Sequence, residues 1–315
     1  MSARVYTVTL NPALDQTVTL ERLTPGAVNL AQSASSNAGG KGVNVASCLA
    51  DWGAPVSACG LLGRNNGEAF EQLFQAKGIA DRMLRLPGDT RINIKLAELA
   101  SGDTTDINLP GIAADAAELD RVSADLEAAL RPGDIVALCG SLPPGLPADG
   151  YARLLRSLRP LGARLLLDSS GEALRLALNG AAPPHCVKPN RQELEQWAGR
   201  SLPDSAALLA CARELLQAGV ERVVISLGAE GALFVENDQA LLATLPAQRP
   251  LSTVGAGDAL VAGLAAGWRD SLALPAAARL AVAFAAAKLA RVGPHLPPAE
   301  QVRALAAQAQ LRHLD

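Results

Sequence analysis

The chain has 315 residues, of which 49% are hydrophobic and 19% charged, and its formal net charge is −3 at pH 7. This composition excludes a disordered chain, and the slight acidic excess argues against nucleic acid or an anionic membrane as a partner. The five widely spaced cysteines contain no C-x-x-C pair, so we expect core thiols in the cytoplasm and neither a disulfide framework nor a zinc site. The N-terminal residues alternate like a strand, and no long uncharged apolar run occurs, so neither a signal peptide nor a membrane helix is predicted.

The first part of the chain predicts a strand, a polar turn and a glycine-rich helix start. Residues 5–10 form the strand, Asn11-Pro12 ends it, and Asp15 follows where α/β folds keep their ligand sites. The second signal is Gly39-Gly40-Lys41-Gly42, which opens a helix that ends near Gly53. Its spacing matches neither a Walker A loop nor a dinucleotide-binding fingerprint, so alone it is a weak indication of ligand contact.

Two short strands without partner helices predict a small sheet separate from the main one. Alternation within the first strand produces two faces, Ile92, Ile94 and Leu96 on one and Arg91, Asn93 and Lys95 on the other. The second strand, 104–109, ends at a Pro-Gly turn. We interpret residues 12–38 and 88–112 as an antiparallel lid that excludes water from a cleft. The alternative is that the charged face is only solvated or blocks edge pairing.

From residue 114 onward, strands and helices alternate regularly. Helices are predicted over 114–130, 147–160, 191–198, 204–218, 275–291 and 298–311. Strands are predicted over 134–139 and 163–167, before Lys188, over 222–227, and as a hairpin over 232–245. Such alternation predicts a mostly parallel sheet with helices on both faces. The turns after the strands then gather at one edge, so we expect one domain, 1–315, with a single site.

The stretch before the most apolar helix has the features of a phosphate site. In Thr253-Val254-Gly255-Ala256-Gly257-Asp258, two glycines and a helix N-terminus attract an anion, whereas the acid that follows repels it. The conflict disappears if Asp258 is a base that takes a proton from a hydroxyl attacking a phosphorus held at the turn. The alternative is that Asp258 only satisfies first-turn amides of its helix.

Four blocks of the sequence resemble the ribokinase-like, or PfkB, family of sugar kinases over essentially the whole chain. They are residues 39–44, 140–143, 188–193 and 253–258. Residues 7–13, 90–95 and 194–200 resemble most the members that act on fructose 1-phosphate, with tagatose-6-phosphate kinases as near neighbours. The resemblance implies a three-layer αβα domain with a small β lid, and a homodimer formed through that lid.

The resemblance also implies a role for each matching residue. Asp258 would be the base, and the amides of Gly255, Ala256 and Gly257 would form the anion hole. The residues expected to bind the sugar phosphate are Asp15, Gly40, Lys41, Asn44, Arg91, Lys95 and Ser141. Those expected to bind ATP are Lys188, Asn190, Ser226, Gly228, Gly231, Ser252 and Val254. Asn190 and Glu193 match an N-x-x-E element that organises Mg²⁺, although Glu193 also suits an ordinary first-turn acid.

One residue departs from the family pattern. Cys139 precedes Gly140 where a serine is expected. We expect the small thiol to pack there, at the cost of a hydrogen bond and not of activity.

The expected reaction is transfer of a phosphoryl group from ATP to the 6-hydroxyl of fructose 1-phosphate, which gives fructose 1,6-bisphosphate. A sugar that already carries a phosphate needs a cationic pocket, and Lys41, Arg91 and Lys95 can provide it. The preference for position 1 comes from the resemblance, so tagatose 6-phosphate and fructose 6-phosphate stay alternatives. A dehydrogenase is opposed by the missing G-x-G-x-x-G motif, and an inactive sugar-phosphate sensor by the intact Asp258 turn.

Overall fold

The computed structural model describes residues 3–245, 255–291, 293 and 295–314. The strands in chain order are β1 (Val5–Thr9), β2 (Ala13–Leu20), β3 (Ala31–Gly39), β4 (Val56–Gly63), β5 (Ala80–Leu86), β6 (Arg91–Glu98), β7 (Thr104–Asn108), β8 (Ile135–Cys139), β9 (Arg164–Asp168), β10 (Cys186–Val187), β11 (Arg222–Ser226), β12 (Ala232–Val235), β13 (Ala240–Thr244) and β14 (Gln310–Leu314). The helices are α1 (Lys41–Asp51), α2 (Glu68–Lys77), α3 (Ala116–Ala129), α4 (Gly150–Leu158), α5 (Gly171–Leu178), α6 (Arg191–Ala198), α7 (Ser205–Gln217), α8 (Ala256–Arg269), α9 (Leu274–Leu289) and α10 (Ala299–Gln308). None of the helices in the described ranges is long and apolar enough to cross a membrane.

The large sheet is mostly parallel, as predicted. Its order is β14-β13-β12-β11-β10-β9-β8-β1-β4-β5. The pairs from β5 to β11 are parallel, and β12, β13 and β14 are added in antiparallel orientation. Every residue of β1 is buried, as expected for a central strand with helices on both faces. All carboxyl ends of the parallel strands therefore lie at one edge of the sheet.

Helices cover both faces of this sheet, so the predicted three-layer αβα fold is confirmed. Alternate residues of β8 belong to two separate cores, with Ala137 packed in one and Val136 in the other. Helices α1, α2, α8, α9 and α10 pack in the first core, and α3 to α7 in the second. Small residues allow helices to pack closely in a chain with few aromatics. Helices α8 and α9 approach so closely that a Cβ on Gly263 would lie 2.6 Å from the Cα of Ala281.

The lid is a separate four-stranded sheet with the order β3-β2-β6-β7. Its outer pairs are antiparallel, but its central pair, β2 with β6, is parallel, so the prediction of an antiparallel lid is wrong for that pair. The reason lies in the main sheet. Strands β1 and β5 run in the same direction there, and each continues directly into the lid, as β2 and β6 respectively.

The C-terminal part of the chain departs from the predicted helix over 298–311. Helix α10 ends at Gln308, and the residues after it form β14, which pairs in antiparallel orientation with β13. Strand β14 is mostly exposed and carries no strong alternation, so only its pairing with the exposed edge of β13 makes it a strand.

Candidate active site

The candidate site lies where the parallel strands end and three helices begin. Helices α1, α6 and α8 start there, at Gly40, Asn190 and Gly255 respectively. Polar residues at or just after the strand ends are Asn11 for β1, Ser141 for β8, Asp168 for β9, Lys188 for β10 and Ser226 for β11. The structure thus brings the separate sequence blocks to one edge of the sheet, as their positions after strands predicted.

Asp258 lies in the first turn of α8 and is only 8% exposed. Its Oδ2 accepts a hydrogen bond of 2.8 Å from Nδ2 of Asn44, across the gap to α1. Burial and the repulsion of Asp168 raise the pKa of Asp258 to about 6, against the opposing effects of Asn44, Lys41 and Lys188. A carboxylate with this pKa is a stronger base than an ordinary aspartate and is still ionised at neutral pH.

An ion triplet stands beside this carboxylate, and two of its members, Asp168 and Lys188, are buried, whereas the side chain of Lys41 is 38% exposed. The Oδ1 atom of Asp168 receives Nζ of Lys41 at 3.3 Å and Nζ of Lys188 at 3.2 Å. Asp168 is 1% exposed and Lys188 4% exposed, so their charges interact in a poorly solvated region. Burial opposes the charge of Lys41, but the attraction of Asp168, Asp258 and Glu193 outweighs it and raises the pKa of Lys41.

Sequence reasoning missed Asp168 as a site residue. The available signal was its position, because it directly ends a buried strand whose neighbours also end in polar residues. The structure shows that it holds two lysines that the sequence had assigned to different ligands, Lys41 to the sugar phosphate and Lys188 to ATP.

The predicted anion turn begins at Gly255, which has a φ of 84°. This left-handed conformation favours glycine. By contrast, Gly257 is already helical, and the described atom nearest to an added Cβ would be Nζ of Lys188, at 3.9 Å. The bare side of Gly257 therefore faces a buried ammonium, an arrangement suited to an anion. Ser252 and Val254 lie outside the described residues.

The residues predicted to bind the sugar include Asp15 on β2 and Gly40 at the start of α1. Oδ1 of Asp15 accepts a bond of 3.1 Å from Nδ2 of Asn93 on β6. A Cβ on Gly39 would lie 2.2 Å from Oδ2 of Asp15, so a larger residue there would displace that carboxylate. Gly40 is confined by backbone, because it has a φ of 105° and a Cβ there would lie 2.9 Å from Cα of Pro12. Burial raises the pKa of Asp15, although Asn93, Arg91 and Lys95 oppose the shift.

Each of the three basic residues that were expected in one pocket has a partner within the protein. Lys41 pairs with Asp168 below the lid, whereas Lys95 forms an ion pair with Asp106 on β7. Arg91 donates to the carbonyl oxygens of Asn11 at 3.2 Å and of Pro12 and Leu109 at 3.3 Å each. Arg91 thereby connects the lid with the residues that directly follow β1.

Beside Arg91 is an open cavity of about 500 Å³ lined in part by Asn11, Gly111, Leu142 and Pro143. Nδ2 of Asn11 donates to Oγ of Ser141 at 3.1 Å, next to this cavity. Sequence reasoning treated Asn11 only as a turn residue, but it is 8% exposed and connects the first strand with the Ser141 block.

A second cavity, of about 260 Å³, has two of the residues expected to bind ATP in its lining. Asn190, Ser226, Leu227 and Glu230 line part of it. Gly228 begins a single 3-10 turn and Gly231 ends it, with φ angles of 61° and 93°. A Cβ on Gly231 would lie 2.1 Å from the carbonyl oxygen of Ala243, so the turn is closed against β13.

The N-x-x-E element forms a reciprocal cap on α6. Oδ1 of Asn190 accepts from the amide of Glu193, and Oε2 of Glu193 accepts from the amide of Asn190, both at 2.8 Å. This is the first-turn role that was the alternative for Glu193, and it engages one of its two carboxylate oxygens. Within the described ranges, no three His, Cys, Asp or Glu side chains are grouped closely enough to form a metal site by themselves.

Cys139 packs as expected and is fully buried, and burial raises the pKa of its thiol. Its carbonyl oxygen accepts a bond of 3.0 Å from the hydroxyl of Tyr151. All five cysteines are free and buried, in agreement with their predicted role as core residues.

A buried aspartate beside a glycine turn, at one edge of a three-layer αβα fold, is typical of a sugar kinase. Comparison with known proteins also indicates a sugar kinase. Residues 8–301 match the model of the pfkB family of carbohydrate kinases, and the chain therefore belongs to that family. It is 53% identical over 292 residues to the 1-phosphofructokinase of Xanthomonas campestris, which covers 92% of each chain. It is 48% identical over 315 residues to the 1-phosphofructokinase of Rhodobacter capsulatus, covering 100% of this chain and 99% of that one.

A solved structure agrees with the fold over nearly the whole chain. Phosphofructokinase-2 from Escherichia coli in complex with substrates and products is 29% identical, with a TM-score of 0.89, and the match covers 97% of this chain and 99% of that one.

Proposed function

We propose that this protein transfers the γ-phosphoryl group of ATP to the 6-hydroxyl of fructose 1-phosphate, giving fructose 1,6-bisphosphate and ADP. The full-length identity to two 1-phosphofructokinases supports the choice of reaction. The observation that carries the mechanism is the buried Asp258 at the start of α8, beside the lysines that Asp168 holds.

Asp258 is the base in this proposal. Its carboxylate takes the proton of the sugar hydroxyl while the hydroxyl oxygen forms a bond to the γ-phosphorus and the bond to the β,γ-bridging oxygen breaks. ADP leaves with that oxygen. Asn44 orients the carboxylate through its bond of 2.8 Å, and the pKa of about 6 keeps Asp258 ionised at neutral pH.

The charge that develops on the transferring group has several stabilising partners. The amides of Gly255, Ala256 and Gly257 point from the N-terminus of α8, and Lys188 stands beside Gly257. Lys41 begins α1, the helix from which Asn44 contacts Asp258, so it suits the acceptor. Because little covalent chemistry is required, positioning and charge account for most of the expected rate enhancement.

Two carboxylates fit a magnesium ion that accompanies ATP. Oδ2 of Asp168 is buried and has no hydrogen-bond partner in the described parts of the chain, and Glu193 keeps one oxygen outside its cap. Mg²⁺ prefers oxygen ligands and retains several waters, so two protein carboxylates are sufficient. When bound, the ion neutralises phosphate charge, and Asn190 holds Glu193 in place for it.

The acceptor is the part of the proposal with the closest competitors, tagatose 6-phosphate and fructose 6-phosphate. A panel of the three ketose phosphates with ATP and Mg²⁺, followed by ADP release, tests the choice. We expect the kcat/KM for fructose 1-phosphate to exceed the others by at least about 10-fold, the discrimination available from one misplaced charged contact. Equal or higher kcat/KM for another acceptor contradicts the assignment, and loss of activity in excess chelator supports the metal requirement.

We propose that two copies associate through their lids. Apolar side chains are exposed on the lid sheet and its turns. Val28 is 93% and Leu30 84% exposed, and the others are Leu99, Ile107 on β7, and Leu109 just after β7. Such a group of apolar side chains favours a protein partner, and a second copy has the matching surface. Light scattering after size exclusion tests the mass, and Leu30→Asp should shift a dimer towards the monomer.

The five free buried thiols support a reducing compartment, so we propose a cytoplasmic location.

A further inference from the structure

One buried charge has no part in the mechanism above. Lys288, in the last turn of α9, is 4% exposed. Its Nζ donates to the carbonyl oxygen of Arg291 at 3.2 Å, which uses one of its three N–H groups. No carboxylate in the described parts of the chain lies within ion-pair distance of it. Burying an ammonium without an ion pair is costly, so an anionic partner elsewhere would explain its presence.

The position of Lys288 points to the anion turn. Its Cε lies 3.1 Å, and its Nζ 3.7 Å, from the place that a Cβ on Gly255 would occupy. The ammonium therefore lies directly behind the residue that begins α8. The close approach of α8 to α9, with Gly263 against Ala281, holds the lysine at this position.

The charge of Lys288 differs from those of Lys41 and Lys188. Those two share Asp168 as a counter-ion, so part of their field is cancelled. Among the described residues, the one hydrogen-bond partner of the Lys288 ammonium is a carbonyl oxygen, and the charged forms of Asp258 and Cys48 act on it. At low effective dielectric, such a charge acts over the few ångströms to the turn.

From this geometry we infer that Lys288 is a positioning residue for phosphoryl transfer. Its ammonium supports the Gly255 turn and adds a fixed positive charge behind the amides of Gly255, Ala256 and Gly257, without touching either substrate. The inference rests on the proposed role of that turn. It adds a residue that neither the sequence motifs nor the contacts of Asp258 indicate.

Burial lowers the pKa of Lys288, and the attraction of Cys48 and Asp258 opposes that shift. The wild type should therefore lose activity at alkaline pH below the usual range of a lysine, as this ammonium loses its proton. When Lys288 is neutral, the ionised form of Asp258 should lose the attraction of its positive charge. The ionisable groups around this lysine and Asp258 are Cys48, Asp168, Lys41, Lys188 and His295.

The test compares Lys288→Met, which removes the charge, with Lys288→Arg, which keeps it. We expect Lys288→Met to lower kcat about 10-fold. This is less than the 10²-fold or more lost with a direct anion-hole donor, because Lys288 acts through the Gly255 turn and does not contact the phosphoryl group. Its KM for fructose 1-phosphate should stay within about 3-fold, and the acidic limb of its pH profile should move to higher pH. Lys288→Arg should keep kcat within about 3-fold and move the alkaline limb upward, since arginine stays charged.

Lys77→Met is the matched control. Lys77 lies in α2 and pairs with Asp51 at 2.7 Å, so its loss removes a partly buried charge outside the anion turn. We expect lower thermal stability with unchanged kcat and acidic limb. If Lys77→Met loses as much kcat as Lys288→Met, or if folded Lys288→Met keeps more than half of wild-type kcat with an unmoved acidic limb, the inference is wrong.

If Lys288→Met does not fold, the alkaline limbs of wild type and Lys288→Arg decide, and identical limbs overturn the role. The proposed function fails by a separate result, a wild type that uses none of the ketose phosphates.

Discussion

The sheet edge and the lid both hold charged residues, but they hold them in different surroundings. At the sheet edge Asp168, Lys188 and Asp258 are each at least nine-tenths buried. In the lid Lys95 pairs with Asp106 on a strand whose residues are all exposed. Water screens the lid pair strongly, whereas charges at the edge act on one another at low effective dielectric. Chemistry that depends on shifted pKa values is therefore expected at the edge, and the lid is expected to contribute shape and closure.

The largest effect should come from removing the base. Asp258→Asn keeps the shape and the hydrogen bond position but cannot accept a proton, so kcat should fall on the order of 10²- to 10⁴-fold. Sugar affinity should change little, and ADP release at saturating substrates measures the loss. A variant that retains more than about a tenth of wild-type kcat contradicts the role of Asp258.

The same substitution should stabilise the fold at neutral pH. The pKa of Asp258 is about 6 in the fold against 3.8 in a model peptide. Its ionised form therefore costs stability, and that cost develops as the pH rises from about 4 to about 6. A neutral asparagine should raise the free energy of unfolding at pH 7 by roughly 1–3 kcal/mol, measured by denaturant unfolding with wild type at pH 4 as the control.

Next in size is Asp168→Asn, which leaves Lys41 and Lys188 without their shared counter-ion. We expect kcat to fall on the order of 10²-fold, because both lysines lose their fixed positions. Asp168 raises the pKa of Asp258, so its removal should lower that pKa below about 6 and move the acidic limb of the pH profile to lower pH. An acidic limb that stays in place would show that Asp168 and Asp258 do not interact as the geometry indicates.

A smaller effect is expected for Lys41→Ala at the sheet edge. Loss of a charged contact to the sugar phosphate should cost about 1.5–3 kcal/mol of binding, seen as a KM for fructose 1-phosphate raised at least 10-fold. A KM that equals the wild-type value would show that Lys41 serves only as a partner of Asp168.

The smallest effect should come from Lys95→Ala in the lid. Because Lys95 already pairs with the exposed Asp106, its loss should change KM by less than about 3-fold. Measured beside Lys41→Ala, this variant tests the difference between the two regions directly. A larger change for Lys95 than for Lys41 would mean that the lid charge reorganises towards the substrate.

Much of the fold follows from local sequence. The predicted helix over 191–198 agrees with α6 at both ends, since Asn190 caps it and Gly199 ends it in a left-handed conformation. Strands such as β8 are continuous apolar runs, which are typical of a parallel sheet covered on both faces. The family was predicted from the resemblance of four sequence blocks. The convergence of the glycine turns was predicted because parallel strands end at one edge whatever their order.

Other features depended on contacts between distant segments. The parallel pairing of β2 with β6 follows from the directions of β1 and β5 in the main sheet, and β14 is a strand only because β13 offers an edge. Asp168 and Lys288 carry no motif, and their importance arises where separate elements place them against Lys41, Lys188 and Gly255. Sequence patterns report the preferences of neighbouring residues, whereas burial and pKa depend on which distant groups exclude water, and only the tertiary structure decides that.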